Sequence, residues 1–488
     1  MKLRDYTYLG LTQSLCPQCL QVLPAKIIER RGRVYFRKDC PEHGPREDFV
    51  CSDVNWFDKL SGSVPGKLPR HFGSEPRLGC PLDCGLCSEH EQHTCIALFE
   101  ITTSCNLTCP ICFAHSAPGG EHVPLDQCRF AIDELVYMEG QPEVLQLSGG
   151  EPTIHPEFFE ILDYAVAQPI DMVMVNTNGI RLAKDADFCQ RLGEYRDRVE
   201  VYLQFDSLDE DPQIQLRGES LMQTKLAAVE AMSGVGLRGT LVCTVQTGVN
   251  EDQLGEIVRF AVARPWITGV SFQPTTYTGR YFLPDQLEQR VTFPDVIRGV
   301  CEQTEGMFSE SDFFPLPCAH PNAHTLTYAY REEGRAIPLT RMIDVEKHFD
   351  LIANGILFDR TRTRQAISQF LARSGCGQDE GGCGGDLPLV RLPGTTSGEE
   401  NEVNDAMARF VEKAITERIY QTDVLRLTTT SFMDAYNFDV RQLMKSCVHH
   451  LLPTGHLIPF SAYNVLYRDG QVALPQRTGR PIEAHNPT

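Results

Sequence analysis

The sequence has no excess of basic charge, no long apolar run and no internal repeat, and each absence removes a class of function. The formal charge is −20 over 488 residues, which argues against an extended nucleic-acid surface, because phosphate binding needs a basic face. No run of about 18 apolar residues occurs, so no transmembrane segment is expected. The stretch from Met1 to Leu20 lacks the apolar centre of an export signal, and the expected location is cytoplasmic. What remains is globular: 42% of residues are hydrophobic and 23% charged, and the length implies two or three domains.

Cysteine is abundant instead. In a chain expected in a reducing compartment, 19 cysteines point to metal binding, reactivity or burial rather than disulfides. Their placement is uneven: eleven lie between Cys16 and Cys112, and the other eight are scattered.

Four regions follow from the pattern. Residues 1–74 carry short β-like runs such as Arg33 to Phe36, with paired cysteines at either end, and close on a Gly/Pro-containing stretch from Ser61 to Ser74. Residues 75–98 form a compact cysteine-rich segment. In 99–310, strand-like runs (Ile96–Thr103, Glu143–Ser148, Asp171–Asn176, Val199–Asp206, Gly239–Thr247 and Gly269–Pro274) alternate with amphipathic stretches such as Cys128–Met138 and Gln253–Val262. Six such β–α repeats predict an α/β domain with a parallel sheet, open or barrel-shaped, and in a barrel reactive groups sit in loops after the strands. Residues 311–488 are less regular. They include Gly-rich loops at Gly375–Gly385 and Pro393–Asn401, a helical stretch at about 402–420, and an aromatic- and His-rich segment from Phe432 to Tyr467.

The decisive motif follows the first of the six strands. Cys105, Cys109 and Cys112 are spaced C-x3-C-x2-C, which places three thiolates in one loop, close enough for three corners of a [4Fe–4S] cube. With no fourth ligand nearby, one iron keeps the open position that distinguishes catalytic from closed metal sites. A zinc site or a plain ferredoxin-like cluster would use the same triplet. The second strand ends in Ser148-Gly149-Gly150-Glu151-Pro152, where glycines allow close approach of backbone to a ligand.

Together these loops resemble those of the radical S-adenosylmethionine (SAM) superfamily. The resemblance implies a partial (β/α)6 barrel with an N-terminal metal-knuckle domain and a C-terminal α+β extension. It also implies an open iron chelated by SAM, with Gly149, Gly150 and Glu151 at its methionine ammonium. Asn178, Gln204 and Asp206, in the loops after the third and fourth strands, are implied at its ribose and carboxylate, though each also suits a cap or turn. Gln273 and Pro274 would border the adenine, and Arg217 would pair with a carboxylate or face solvent.

Two further metal sites are expected. Cys80, Cys84 and Cys87 repeat the three-cysteine spacing, and Cys95 follows eight residues on. Four thiolates close a cube, so these predict an auxiliary [4Fe–4S] cluster, with His93 beside it. Cys16-x2-Cys19 and Cys40-x2-His43 are paired knuckles suited to one tetrahedral ion, Zn or rubredoxin-like Fe, with Cys51 as a substitute for His43.

The module order resembles that of archaeal tetraether-lipid synthases and class D radical SAM methylases. Some members of that group carry a further C-terminal cluster, for which Cys318 and Cys447 are the candidates here. Ala323 and Ser461 stand where partners would be sought, and His320, His324, His449 and His450 are possible substitutes. Cys376 and Cys383 sit in the Gly-rich loop. The resemblance implies SAM cleavage to a 5′-deoxyadenosyl radical, with an external reductant such as flavodoxin or ferredoxin. The outcome favoured at this level is C–C bond formation on a lipid alkyl chain, with carbon methylation of a pterin-like or other small molecule as the alternative. A non-catalytic iron–sulfur electron carrier would explain the clusters but not the six-unit core.

Overall fold

The structure is a computed structural model and describes residues 4–59, 64–332, 334–341, 397–416 and 418–478. Cys376 and Cys383 lie outside them.

The N-terminal module is an antiparallel meander of β1 (Thr7–Leu15), β2 (Val22–Arg30), β3 (Arg33–Cys40) and β4 (Gly44–Cys51), in that order. The β2–β3 turn is the two-residue Arg31-Gly32, with φ of 54° and 79°, the left-handed pair that matches strand twist in a tight hairpin. In such a meander the first and third turns share one end. That puts the loop with Cys16 and Cys19 next to the turn with Cys40 and His43.

The six expected parallel strands are β5 (Ile96–Thr102), β6 (Val144–Gly149), β7 (Met172–Thr177), β8 (Val199–Gln204), β9 (Arg238–Val245) and β10 (Ile267–Pro274). They pair in chain order. Their sequences are near-continuous apolar runs because both faces are covered. Leu145, Leu147, Val173, Val175, Val201 and Leu203 face outward into the main core, against helices including α1 (Leu125–Glu139) and α2 (Phe158–Ala167). The alternate residues face inward, where Val144, Met172 and Met174 form an apolar plug with Ile96 and Tyr202 packed on it.

The C-terminal region has mixed helix and strand, but its strands continue the barrel sheet. β14 (Val424–Thr430) pairs in parallel with β10, and β15 (Val448–Leu451) in parallel with β5. Eight parallel strands therefore run side by side. Outside them, β12 (His324–Glu332) lies antiparallel to β14, with β11 (Phe314–Pro315) and β13 (Arg335–Pro338) on β12, while β16 (Leu457–Pro459) pairs antiparallel with β15. β15 spans four residues, too short for a period-2 pattern to register. The helix expected at 402–420 runs from Ser397 to Ile415.

Arg331 on β12 ties this extension to the barrel. Its side chain, in a residue 8% exposed, donates to the carbonyls of Ala261, Arg264, Pro265, Ile267 and Val424 at 2.6 to 3.3 Å. Arg331→Met should leave these acceptors without their donor and cost about 3 kcal/mol. The expected signature is a lower urea midpoint at unchanged denaturant dependence.

Candidate active site and metal centres

The loop after β5 is held by backbone and by one arginine. Arg280 donates through Nε to the Cys109 carbonyl at 2.7 Å and through its terminal nitrogen to the Ser116 carbonyl at 2.6 Å. Its own N–H reaches the Cys112 carbonyl at 3.0 Å. Gly279 precedes it at φ 65°, where a Cβ would collide with the cluster-loop backbone. Cys105, Cys109 and Cys112 thus share one rim of a cavity inside the barrel. Burial pushes the Cys105 thiol up to about 12. Burial also raises Cys109, against the pull of the nearby Arg217 guanidinium.

The glycine loop after β6 lies directly on this loop. The Gly150 N–H donates to the Thr102 carbonyl and the Glu151 N–H to the Ser104 carbonyl, both at 2.9 Å. Gly149 sits at φ 124°, and a Cβ there would strike the Thr102 carbonyl. One on Gly150 would strike the Ser104 carbonyl and come within 3.0 Å of Cys105 Cβ. The ionisable groups whose charge acts on the three thiols, apart from the thiols themselves, include Glu151, Asp206, Arg217, Arg468 and Lys225, the last already donating to Asn178 and Gln204. Guanidinium groups do not ligate iron, and both carboxylates are occupied elsewhere. The donor set therefore fits a cube held at three corners.

Two residues expected at SAM, Glu151 and Asp206, are not among those that line the cavity. Glu151, 1% exposed, accepts from Thr153 Oγ1 at 2.6 Å, Thr177 Oγ1 at 2.7 Å and the Asn178 N–H at 2.8 Å. It pins the β6 loop to the β7 loop. Asp206, fully buried, takes a bidentate pair from Arg217 at 2.8 and 2.7 Å and the Thr244 N–H at 3.0 Å. Compact buried pockets made their carboxylates structural, and Arg217 is the charged group that reaches the cavity in Asp206's stead.

Gly149, Gly150, Asn178, Gln204, Gln273 and Pro274 do line the cavity. The amides of Asn178 and Gln204 are held from behind. Asn178 Nδ2 donates to Asn106 Oδ1 at 2.6 Å. Lys225, on the helix Met222–Gly234, donates to the Asn178 carbonyl at 2.6 Å and to Gln204 Oε1 at 2.7 Å. Sequence inspection passed over Lys225 and Arg280, because neither belongs to a motif.

The expected auxiliary quartet divides. Cys80, Cys84 and Cys87 stay together around a small cavity that His90 also lines, with the Asp83 carboxylate accepting the N–H groups of Arg77, Leu78 and Gly79. Cys95 does not join them, because it is already committed to the start of β5. Its N–H donates to the Cys447 carbonyl at 2.9 Å, and its thiol contacts Cys318 and Cys447. His93 Nε2 lies 3.6 Å from Cys95 Sγ, and His324 contacts Cys447. Cys318 follows β11 and His324 opens β12, whereas Cys95 and Cys447 precede β5 and β15. This group therefore joins the two ends of the barrel sheet.

The other proposed substitutes are engaged elsewhere. His320 lies 3.8 Å from Asp58, His449 3.2 Å from His90, and His450 3.1 Å from Asn464. Ser461 Oγ accepts the Met433 N–H at 2.9 Å.

At the N-terminus, the ligand atoms of Cys16, Cys19, Cys40 and His43 all lie within 4.8 Å of one another, a fit to one tetrahedral ion. Burial raises the Cys16 thiol, but the N–H groups of Cys19 and Gln18 outweigh it and bring it to about 7. Cys51 is not part of this group. Burial pushes it up to about 12, and its Sγ lies 3.4 Å from the Asp53 carbonyl.

A parallel barrel with three thiols in one loop beside a glycine ledge is the architecture of a radical SAM enzyme. The radical SAM superfamily model matches residues 99–261, and the model described as the HMPTM N-terminal zinc ribbon domain matches residues 8–52. The 7,8-dihydro-6-hydroxymethylpterin dimethyltransferase of Methanocaldococcus jannaschii is 31% identical over 493 residues, covering 94% of each chain. The chain belongs to the radical SAM superfamily, in the family of that archaeal protein. Mycofactocin maturase MftC of Mycolicibacterium smegmatis is 30% identical over 164 residues, 33% of this chain and 40% of its own. The solved structure of Streptococcus suis SuiB is 17% identical, with a TM-score of 0.36 over 44% of this chain and 48% of its own. No helix among the described residues is long and apolar enough to cross a membrane.

Two outcomes test the site. Gly150→Ala should separate the two loops and weaken SAM binding at least about tenfold, some 1.4 kcal/mol, by equilibrium dialysis, while metal at the N-terminal knuckles is retained. Burial pushes the Lys225 ammonium down to about 7, against Asp206. The unfolded chain keeps that proton up to about 10.4, so folding stability rises with pH between the two values. Lys225→Met should remove this slope, at most about 1.4 kcal/mol per pH unit, in urea titrations spaced through that window.

Proposed function

We propose that this chain is a radical SAM methyltransferase that adds a one-carbon group to a carbon of a pterin-like molecule. The carrying observation is the 31% identity to the archaeal pterin dimethyltransferase over 94% of both chains. It favours the alternative of the sequence analysis over coupling of lipid alkyl chains. The cavity is consistent with that choice. Among apolar residues such as Leu98, Met174 and Phe460, the polar side chains of Gln146, Tyr202, Ser271 and Gln273 line it inside the barrel, and an alkyl chain there would leave the Gln146 amide without a partner.

Cys105, Cys109 and Cys112 would hold a [4Fe–4S] cluster, which with SAM bound would supply one-electron cleavage of SAM and the hydrogen abstraction that follows from it. The protein's part is positional. Gly149 and Gly150 let the ledge lie against the cluster loop. Lys225 fixes the Asn178 backbone carbonyl and the Gln204 carboxamide at the rim, and Arg217 presents a cation beside Cys109. The barrel wall and the plug of Val144, Met172 and Met174 keep water from the far end, as such reactive species require. We assign zinc to Cys16, Cys19, Cys40 and His43, and auxiliary iron–sulfur centres to the Cys80, Cys84, Cys87 group and to the Cys95, Cys318, Cys447 group. A flavodoxin- or ferredoxin-type reductant and a cytoplasmic setting complete the proposal.

The test is anaerobic reconstitution with iron and sulfide, then dithionite, SAM and a methylene-bearing tetrahydrofolate as one-carbon donor, with 7,8-dihydro-6-hydroxymethylpterin or with a glycerol dialkyl ether lipid. 5′-Deoxyadenosine and a pterin heavier by a methyl group are expected by mass spectrometry, with both lost in Cys105→Ala. A coupled lipid and an unmodified pterin would replace this proposal with the lipid reaction.

A further inference from the structure

One buried side chain in the barrel has no task in the cofactor site. Gln146 points inward from β6, three residues before Gly149 and so about 10 Å deeper at a strand's rise. It is 5% exposed, and it lines the cavity. Its carboxamide has no hydrogen-bond partner among the described residues. The cavity's other amides differ in this respect: Asn176 donates to Ser148 Oγ at 2.9 Å, Asn178 to Asn106 and Gln204 is held by Lys225. A buried amide without a partner is destabilising, and a leucine would fill the same space at no such cost.

Other groups that line the same cavity are prepared in a complementary way. Tyr202 donates from its hydroxyl to Ser271 Oγ at 2.9 Å, and Gln273 Nε2 donates to that hydroxyl at 3.0 Å. This leaves Gln273 Oε1 as an acceptor with no donor. Burial raises the Tyr202 hydroxyl, which keeps it protonated and the chain of bonds directed one way. Beneath lies the apolar plug on which Tyr202 packs.

We infer that Gln146, with Gln273 held by Tyr202 and Ser271, is the subsite that takes the polar edge of a planar heterocycle. The ligand chemistry is set by the amide: a donor and an acceptor side by side in one plane match a ring nitrogen beside an exocyclic amine. An alkyl chain offers neither group. Sites built around such bonds reject ligands that lack them far more strongly than apolar pockets reject an extra methylene. The inference rests on the methyltransferase proposal and specifies where its substrate is read.

The test uses the reconstituted holoenzyme with SAM bound. Two probes are compared: 7,8-dihydro-6-hydroxymethylpterin, and the analogue in which an oxo group replaces the 2-amino group. Affinity is measured by fluorescence for wild type and Gln146→Leu. The expected result is pterin binding about tenfold or more weaker in Gln146→Leu, with SAM affinity and the cluster's EPR signal unchanged. The loss of affinity on replacing the amino group should largely disappear in the variant. If the variant perturbs the fold, Gln146→Met is expected to give the same pattern. Equal pterin affinity in wild type and variants, or an amino-group effect that survives the substitution, would overturn the subsite while leaving the methyltransferase proposal standing. Wild type that ignores both pterins but binds a glycerol dialkyl ether lipid, more tightly still after Gln146→Leu, would overturn both.

Discussion

The contact between two loops governs this molecule. The glycine ledge after β6 donates its N–H groups to the Thr102 and Ser104 carbonyls of the thiol loop, at an approach that no Cβ would permit at Gly149 or Gly150. Everything around it secures that closeness. Glu151 binds the ledge to the next loop, Arg280 clamps the thiol loop from the far side, and the Asp206–Arg217 pair supports it from below. Buried ion pairs of this kind add little net stability over apolar packing, but losing one partner is costly. They are better understood here as fixing a geometry.

Much of this was legible in the sequence, for reasons that can be named. The parallel strands announce themselves because burial on both faces forces apolar runs such as Val144 to Leu147. The thiol loop is visible because cluster ligation demands a local spacing, and the knuckles because a tetrahedral ion needs paired turns. That Glu151 and Asp206 fold into buried hydrogen-bond networks was not legible, for the opposite reason. Their position after a strand is shared by ligand-facing and inward-folded carboxylates, and only the surrounding donors decide between them. Lys225, Arg280 and Gln146 left no trace, since each acts through partners remote in the chain.

Cys95 illustrates a general hazard in reading cysteine spacing. Its distance from Cys87 suggested a fourth ligand, yet sheet pairing had already claimed it. The hydrogen bond from Cys95 to Cys447, and the contact of Cys95 with Cys318, are set by how β15 and β11 return to the barrel. Proximity along the chain is a weak guide once a residue opens a strand, because strand register is a long-range choice.

The return of β14 and β15 to opposite flanks of the barrel bears on how the polypeptide matures. As the ribosome releases the chain, the four-stranded meander finds all its strand partners within residues 7–51, although Thr12 and Lys38 later bond to Asp439 and Tyr436. The catalytic barrel cannot close until residues past 448 have emerged, since the wall beside β5 is built from them. Contacts this distant are slow to form, so cysteines 80 to 112 wait without their final enclosure. That interval, between an early-finished head and a late-arriving tail, is when oxygen and stray metals have their easiest access to the thiols.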